Sequence, residues 1–123
     1  MNTAELIEQA TAEGVILALS PSGTIKATGD QSAVDRWLQV IRDNKPSILD
    51  ELQRERRRAK VLEMLVGKRI ALFVDNDKTD PVIATVGIRD VATFELAIPR
   101  HSYDGMVLLE LIEKHYGENY ANN

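Results

Sequence analysis

The chain has 123 residues, of which 44% are hydrophobic and 28% are charged, and this composition is typical of a globular protein. It has no cysteine, which excludes a disulfide scaffold, thiol catalysis and cysteine-ligated metal. The N-terminus lacks a signal-peptide pattern, and no apolar stretch approaches the roughly 18 to 20 residues that cross a bilayer. We therefore expect a cytoplasmic protein without a membrane partner.

The net charge of -4 is unevenly distributed along the chain. Residues 1–53 carry -4, residues 54–69 carry +5 and residues 70–123 carry -5. A protein that binds duplex DNA needs many phosphate contacts, so this acidic–basic–acidic distribution of charge argues against a broad DNA-binding face. One compact basic segment is left to explain.

The first part of the chain predicts a helix, a hairpin and two more helices. Residues 3–13 have helical spacing with Thr3 as N-cap, and Gly14 is placed to end that helix. The segment GVILALSPSGTIKATG then predicts two short strands around a Pro- and Gly-containing turn. A helix with Trp37 on its apolar face follows, and Pro46 marks the start of the next helix. Gln53–Arg58 has no apolar anchor, which indicates a helical bridge between two cores.

The second part of the chain predicts a three-stranded meander and a last helix. Three apolar segments of strand type, 69–74, 82–88 and 91–98, are separated by short polar connections. Asp104 is placed to cap a helix over 106–115. The predicted fold class is therefore α+β, with an N-terminal αββαα unit (1–53), a basic helical connector (54–68) and a small βββα unit (69–123).

Three segments in the first part carry a resemblance to a known family. They are the helix running into GVILAL, the Gly23-containing turn with its return strand TIKA, and the segment IRDNKPSIL. In this order and spacing, residues 5–52 resemble the TubC N-terminal docking domain family of hybrid nonribosomal peptide and polyketide synthetases. The second half of the chain looks like the tail of stand-alone, docking-like bacterial proteins associated with plasmids or phages.

The resemblance implies a noncatalytic, homodimeric protein–protein docking module whose hairpin, residues 15–28, receives a segment of a partner chain. Carried over onto this sequence, the partner-binding residues are Ser22, Thr24, Lys26 and Thr28, with Ser20 beside them in the turn. The expected partners are a second copy of the chain and an unidentified protein segment. The solvated face of a half-buried hairpin is the alternative interpretation of the same residues.

The basic segment supports an alternative function, that of an accessory nucleic-acid-associated protein of plasmid or phage DNA metabolism. Its candidate contacts are Arg54, Arg56, Arg57, Arg58 and Lys60. These side chains spread around much of a helix, and no aromatic residue between them could stack on a base. A solvated connector with local ion pairs is the favoured interpretation.

Two polar clusters are candidates for catalysis or metal binding. Asp75, Asp77 and Asp80 lack the glycine and glutamate of an EF-hand frame, so a polar turn is favoured. The cluster RHSYD (100–104) contains Ser and His without a nucleophile-elbow motif, and a helix cap explains its aspartate. We expect no enzymatic activity, no cofactor and no bound metal.

Overall fold

The structure is a computed structural model that describes residues 2–117. The α-helices and strands follow one another in the order α1 (Thr3–Ala12), β1 (Ile16–Leu19), β2 (Ile25–Thr28), α2 (Gln31–Asp43), α3 (Lys45–Met64), β3 (Ile70–Val74), β4 (Val82–Ile88), β5 (Ala92–Ile98) and α4 (Gly105–Ile112). A short 3-10 helix at Arg100–Ser102 precedes α4, and a π-helical segment at Glu113–Gly117 follows it. The predicted unit 69–123 extends beyond the described residues at its C-terminal end.

The fold class is α+β, as the sequence predicts. Within residues 2–117 there are four α-helices, one two-stranded antiparallel sheet and one three-stranded antiparallel sheet. The chain divides into two compact units, Met1–Glu55 and Arg56–Asn123, so the division falls inside α3. Most of the predicted basic connector therefore belongs to the second unit.

In the first unit, α1, α2 and α3 supply the apolar surface that covers one face of the hairpin. Leu17 of β1 is buried, and Ile25 and Ala27 of β2 pack against the same core. Trp37 is buried there, which confirms its predicted place in the core. The buried members of this core are Ala10, Val15, Leu17, Ala33, Trp37 and Ile48.

The base of the hairpin closes tightly on the end of α1. The backbone of Gly14 has φ +90°, which confirms that the first helix ends in a left-handed residue. Gly29 follows β2 with φ +151°, and a Cβ at this position would collide with the carbonyl oxygen of Gly14. Only glycine combines that dihedral angle with so close an approach of two backbones.

The second unit is built on the meander β3-β4-β5, and both of its antiparallel pairings are those that the sequence predicts. Side chains alternate between the two faces of a sheet. One face packs Ala71 and Phe73 against Val61 and Leu65 of α3. The other face packs Val86 and its neighbours against Leu108 and Ile112 of α4. Covering both faces explains why every residue of β4 except Ile83 is buried.

Four local predictions differ from the structure or are refined by it. Asn2, not Thr3, caps α1, because its side chain accepts the backbone N–H of Glu5 at 2.8 Å. Gln53–Arg58 lies within one continuous helix, α3. Val91 lies in the turn before β5, since its N–H bonds to the carbonyl of Ile88 at 3.0 Å. The last α-helix ends at Ile112, three residues earlier than expected.

Within the described residues, none of the helices combines the length and the apolar composition needed to span a membrane.

Candidate functional site

The hairpin has one covered face and one open face. The open face is formed by Ile16 and Ala18 of β1 and by Lys26 and Thr28 of β2, all of them exposed. The register places Ile16 opposite Thr28 and Ala18 opposite Lys26. We call these four residues, together with Thr24, the outer face of the hairpin. Ile16 is 57% exposed, so this face combines an apolar side chain with a cation and hydroxyl groups.

The hydroxyl groups at the tip of the hairpin bind one another. Ser20 Oγ lies 2.9 Å from Ser22 Oγ and 2.7 Å from Thr24 Oγ1, and it also accepts the backbone N–H of Thr24 at 3.1 Å. Two of the four predicted partner-binding residues, Ser22 and Thr24, therefore hold the shape of the turn. Their remaining hydrogen-bonding capacity is directed to solvent, since both residues are exposed.

Lys26 stands at the centre of the outer face. Its side chain is exposed, and within residues 2–117 it makes no ion pair. Thr28 lies on the same face and its hydroxyl donates to the carbonyl of Ile16 at 3.5 Å, a long contact. Among the predicted partner-binding residues, Lys26 is thus the one whose functional group is uncommitted.

The free edge of β2 offers backbone groups that sequence reasoning did not single out. The N–H of Ser20 bonds to the carbonyl of Thr24 at 2.7 Å, which makes that pair a hydrogen-bonded one. Because antiparallel pairs alternate, Leu19↔Ile25 and Leu17↔Ala27 are non-hydrogen-bonded pairs. The N–H and C=O groups of Ile25 and Ala27 therefore point away from β1. Within the described residues no third strand pairs with that edge.

The geometry of this edge is that of a strand acceptor. A segment added alongside β2 would exchange backbone hydrogen bonds with Ile25 and Ala27. Its side chains on the solvent side would then lie beside Thr24, Lys26 and Thr28. The alternation in IKAT indicates a strand in the sequence. Which of its backbone groups point away from β1 follows only from the pairing register.

Four of the five cations of the predicted nucleic-acid contact have polar partners within their own units. Arg54, in the first unit, lies 3.4 Å from Asp50 and 3.3 Å from Glu51. In the second unit, Arg56 lies 2.8 Å from Asp75, and Arg58 lies 3.3 Å from the hydroxyl of Thr93. Lys60 is exposed.

Arg57 departs most from the predicted solvated connector. Its Nε and Nη2 donate to Glu95 Oε2 at 2.6 Å and to Glu95 Oε1 at 3.1 Å. The hydroxyl of the buried Thr85 donates to Glu95 Oε2 at 3.0 Å. The interpretation as a solvated residue is wrong for Arg57, because its side chain is only 14% exposed. The spacing of residues 57 and 95 in the sequence does not indicate this pair, because the two residues come together only when α3 packs on the sheet.

The aspartate loop and the segment before α4 have structural roles. Asp75 binds Arg56, and Asp80 Oδ1 accepts the backbone N–H of Arg100 at 3.2 Å. Asp104 accepts the backbone N–H groups of Met106 and Val107 at 3.0 and 3.2 Å, which confirms it as the cap of α4. Across residues 2–117, no group of three acidic or histidine side chains could hold a metal ion.

Comparison of the chain with protein-family models, with curated proteins and with solved structures gives no match.

Proposed function

We propose that this protein is a noncatalytic docking module that binds an extended segment of a partner protein along β2 of the hairpin. The observation that carries the proposal is the coincidence of an open strand edge at Ile25 and Ala27 with the uncommitted cation of Lys26. Backbone pairing along an edge supplies affinity, and the flanking side chains supply specificity. The resemblance of residues 5–52 to docking domains supports the same surface and adds homodimer formation by the first unit.

The chemistry of the outer face defines the partner segment. It must be extended and free of proline over the residues that pair with Ile25 and Ala27, because each needs a backbone N–H from the partner. An acidic side chain beside Lys26 would gain a charge-assisted hydrogen bond. We therefore expect the partner segment to carry Asp or Glu at the position next to Lys26.

A peptide selection tests this proposal. A library of random peptides of about eight residues, long enough to pass the whole of β2, is selected on the wild-type protein. Affinities of the enriched peptides are then measured for wild type, Lys26→Glu and Lys45→Glu. Lys45 is an exposed lysine in the same unit at the start of α3, so it carries the same charge change away from the hairpin.

We expect enriched peptides to contain an acid, Lys26→Glu to weaken binding by about tenfold, and Lys45→Glu to leave it unchanged. Equal effects of the two reversals would reduce the role of Lys26 to net charge. The proposal would be contradicted if the selection enriched no peptide that binds at the hairpin.

The ion pairs of the basic segment weigh against the nucleic-acid alternative. The guanidinium groups of Arg54, Arg56 and Arg57 lie against carboxylates of their own units. Each would have to exchange an ion pair for a phosphate contact. The free energy lost with that ion pair would offset part of the counterion-release free energy that drives binding to nucleic acid.

A further inference from the structure

The strand β3 forms an unprotected edge of the three-stranded sheet. The order β3-β4-β5 leaves the outer side of β3 without a strand partner within residues 2–117. Its five residues, IALFV, include no charge and no proline. Natural proteins ordinarily protect such an edge with charges, proline or a bulge, because an apolar edge recruits other strands.

The opposite edge of the sheet shows the protection that β3 lacks. On β5, the side chains of Thr93 and Glu95 engage Arg58 and Arg57 of α3. Charged and polar groups therefore line the β5 edge. The contrast between the two edges of one sheet singles out β3 as the edge that is open to a further strand.

The backbone groups of the β3 edge are in a defined phase. The N–H of Arg89 bonds to the carbonyl of Arg69 at 2.9 Å, which makes that pair a hydrogen-bonded one. Alternation along the ladder makes Ile70, Leu72 and Val74 the residues of non-hydrogen-bonded pairs with β4. Their N–H and C=O groups point outward, away from β4.

Open grooves border this edge, between α3 and α4. One groove of about 390 Å³ is lined by Met64 of α3, by β3, by Leu109 of α4 and by the charged residues Lys68 and Glu113. A second groove of about 420 Å³, lined by Lys68, Arg69, Ile70 and Glu113, opens at the start of β3. Met106, three residues before Leu109 on α4, is 68% exposed and lies on the same flank by helical periodicity. Apolar side chains of α3 and α4 thus border the edge strand, and charged side chains lie at its start.

We infer that the β3 edge binds the β3 edge of a second copy of this chain, joining the two sheets into one antiparallel sheet of six strands. The pairing is centred on Leu72, which lies opposite Leu72 of the second copy. Ile70 then lies opposite Val74, so residues with outward-pointing backbone groups face one another along the whole strand.

Charge complementarity selects the second copy as the occupant. The same register places Arg69 of each copy opposite Asp75 of the other, one pair at each end of the paired strands. Both residues are exposed, and both belong to the sheet face that α3 covers. Asp75 already accepts a hydrogen bond from Arg56 of its own chain at 2.8 Å, so in the dimer its carboxylate lies between that guanidinium group and Arg69 of the second copy. A shift of the register by one residue at its centre, to Ala71, would place Arg69 opposite Phe73 and lose both ion pairs.

The inference is independent of the hairpin, since β3 belongs to the other unit. Its test uses the full-length chain and three variants: Arg69→Asp, Asp75→Arg and the double variant with both changes. Sedimentation velocity from about 1 µM to about 1 mM measures association. Asp77→Arg makes the same charge change in the following loop and serves as the control.

We expect the wild type to dimerise and each single variant to dimerise about tenfold more weakly, because like charges then face each other at both ends. The double variant should recover wild-type association. A mixture of the two single variants should form a heterodimer, because the substituted residues pair with each other at one end and the native Arg69 and Asp75 pair at the other. Mixing would not restore association if the single variants were weak because they were misfolded, so this result separates a charge effect from a folding defect.

Hydrogen exchange provides the second readout. Amide protection at Ile70, Leu72 and Val74 should rise with protein concentration, while Ala71 and Phe73, already bonded to β4, should stay constant. A chain that remains monomeric over the whole concentration range overturns the inference. So does a dimer that forms without protection of these three amides and is insensitive to the charge exchange, which would point to the first unit instead.

Discussion

Arg57 and Glu95 are joined by two hydrogen bonds, of 2.6 and 3.1 Å, that connect α3 to β5 across the face of the three-stranded sheet. Thr85 of β4 completes the cluster by donating to the same carboxylate. A paired, charge-assisted contact of this kind fixes orientation as well as contributing energy. Arg57, one of the residues of the basic segment, therefore has a structural role within the second unit.

Removing one partner of this pair is expected to destabilise the fold. Arg57→Ala deprives the Glu95 carboxylate, 24% exposed, of its two hydrogen bonds from the guanidinium group. Because both groups retain some solvent contact, we expect a loss of about 2 kcal/mol in the free energy of unfolding, less than for a fully buried pair. Arg54→Ala removes two longer ion pairs, to Asp50 and Glu51, from an arginine side chain that is 52% exposed, and it should cost under about 1 kcal/mol. Urea denaturation of both variants checks this, and equal losses would contradict the structural role of Arg57.

The close approach of Gly29 to Gly14 should make the base of the hairpin intolerant of any side chain. Gly29→Ala places a Cβ against the carbonyl of Gly14, and we expect it to cost more than about 3 kcal/mol. Gly14→Ala also has a positive φ, but no heavy atom lies within 4 Å of its Cβ. It should cost about 1 kcal/mol, the strain of the dihedral angle alone. Thermal unfolding distinguishes the two, and a similar loss for both would mean that the contact relaxes.

The two aspartates at helix N-termini should differ in their contributions to stability. Asp104 accepts two backbone N–H groups of α4, so Asp104→Ala should cost about 1 kcal/mol. Asp30 occupies the N-cap of α2 without a side-chain hydrogen bond, so Asp30→Ala should change stability by less than about 0.5 kcal/mol. Denaturant midpoints give the comparison. A loss at Asp30 as large as that at Asp104 would show a cap that the structure does not contain.

Nucleic-acid binding by the basic segment should be absent or weak. We expect no mobility shift with single- or double-stranded DNA at low salt, because three of the five cations lie against carboxylates. The double variant Arg58→Gln/Lys60→Gln serves to identify the residues if binding occurs. A shift that disappears with salt and with this variant would support the alternative function.

The sequence predicted the elements of the fold better than their contacts. Apolar periodicity located Trp37 in the core, and the separation of the three apolar segments predicted the meander, because both are local signals. The Arg57–Glu95 pair joins residues 38 positions apart, and nothing local to either residue indicates it. For the candidate site, the sequence indicated Lys26 and its strand. The contributions of Ile16 and of the Ile25 and Ala27 backbone depend on the pairing register, which composition does not encode.

Amide hydrogen exchange on the hairpin tests docking along β2 most directly. The protein is measured alone and with a saturating peptide from the selection, residue by residue over β2. We expect the amides of Ile25 and Ala27 to become protected on binding, while Lys26, whose N–H already bonds to β1, changes little. Saturating binding that leaves Ile25 and Ala27 as exposed to exchange as in the free protein would contradict docking at this edge.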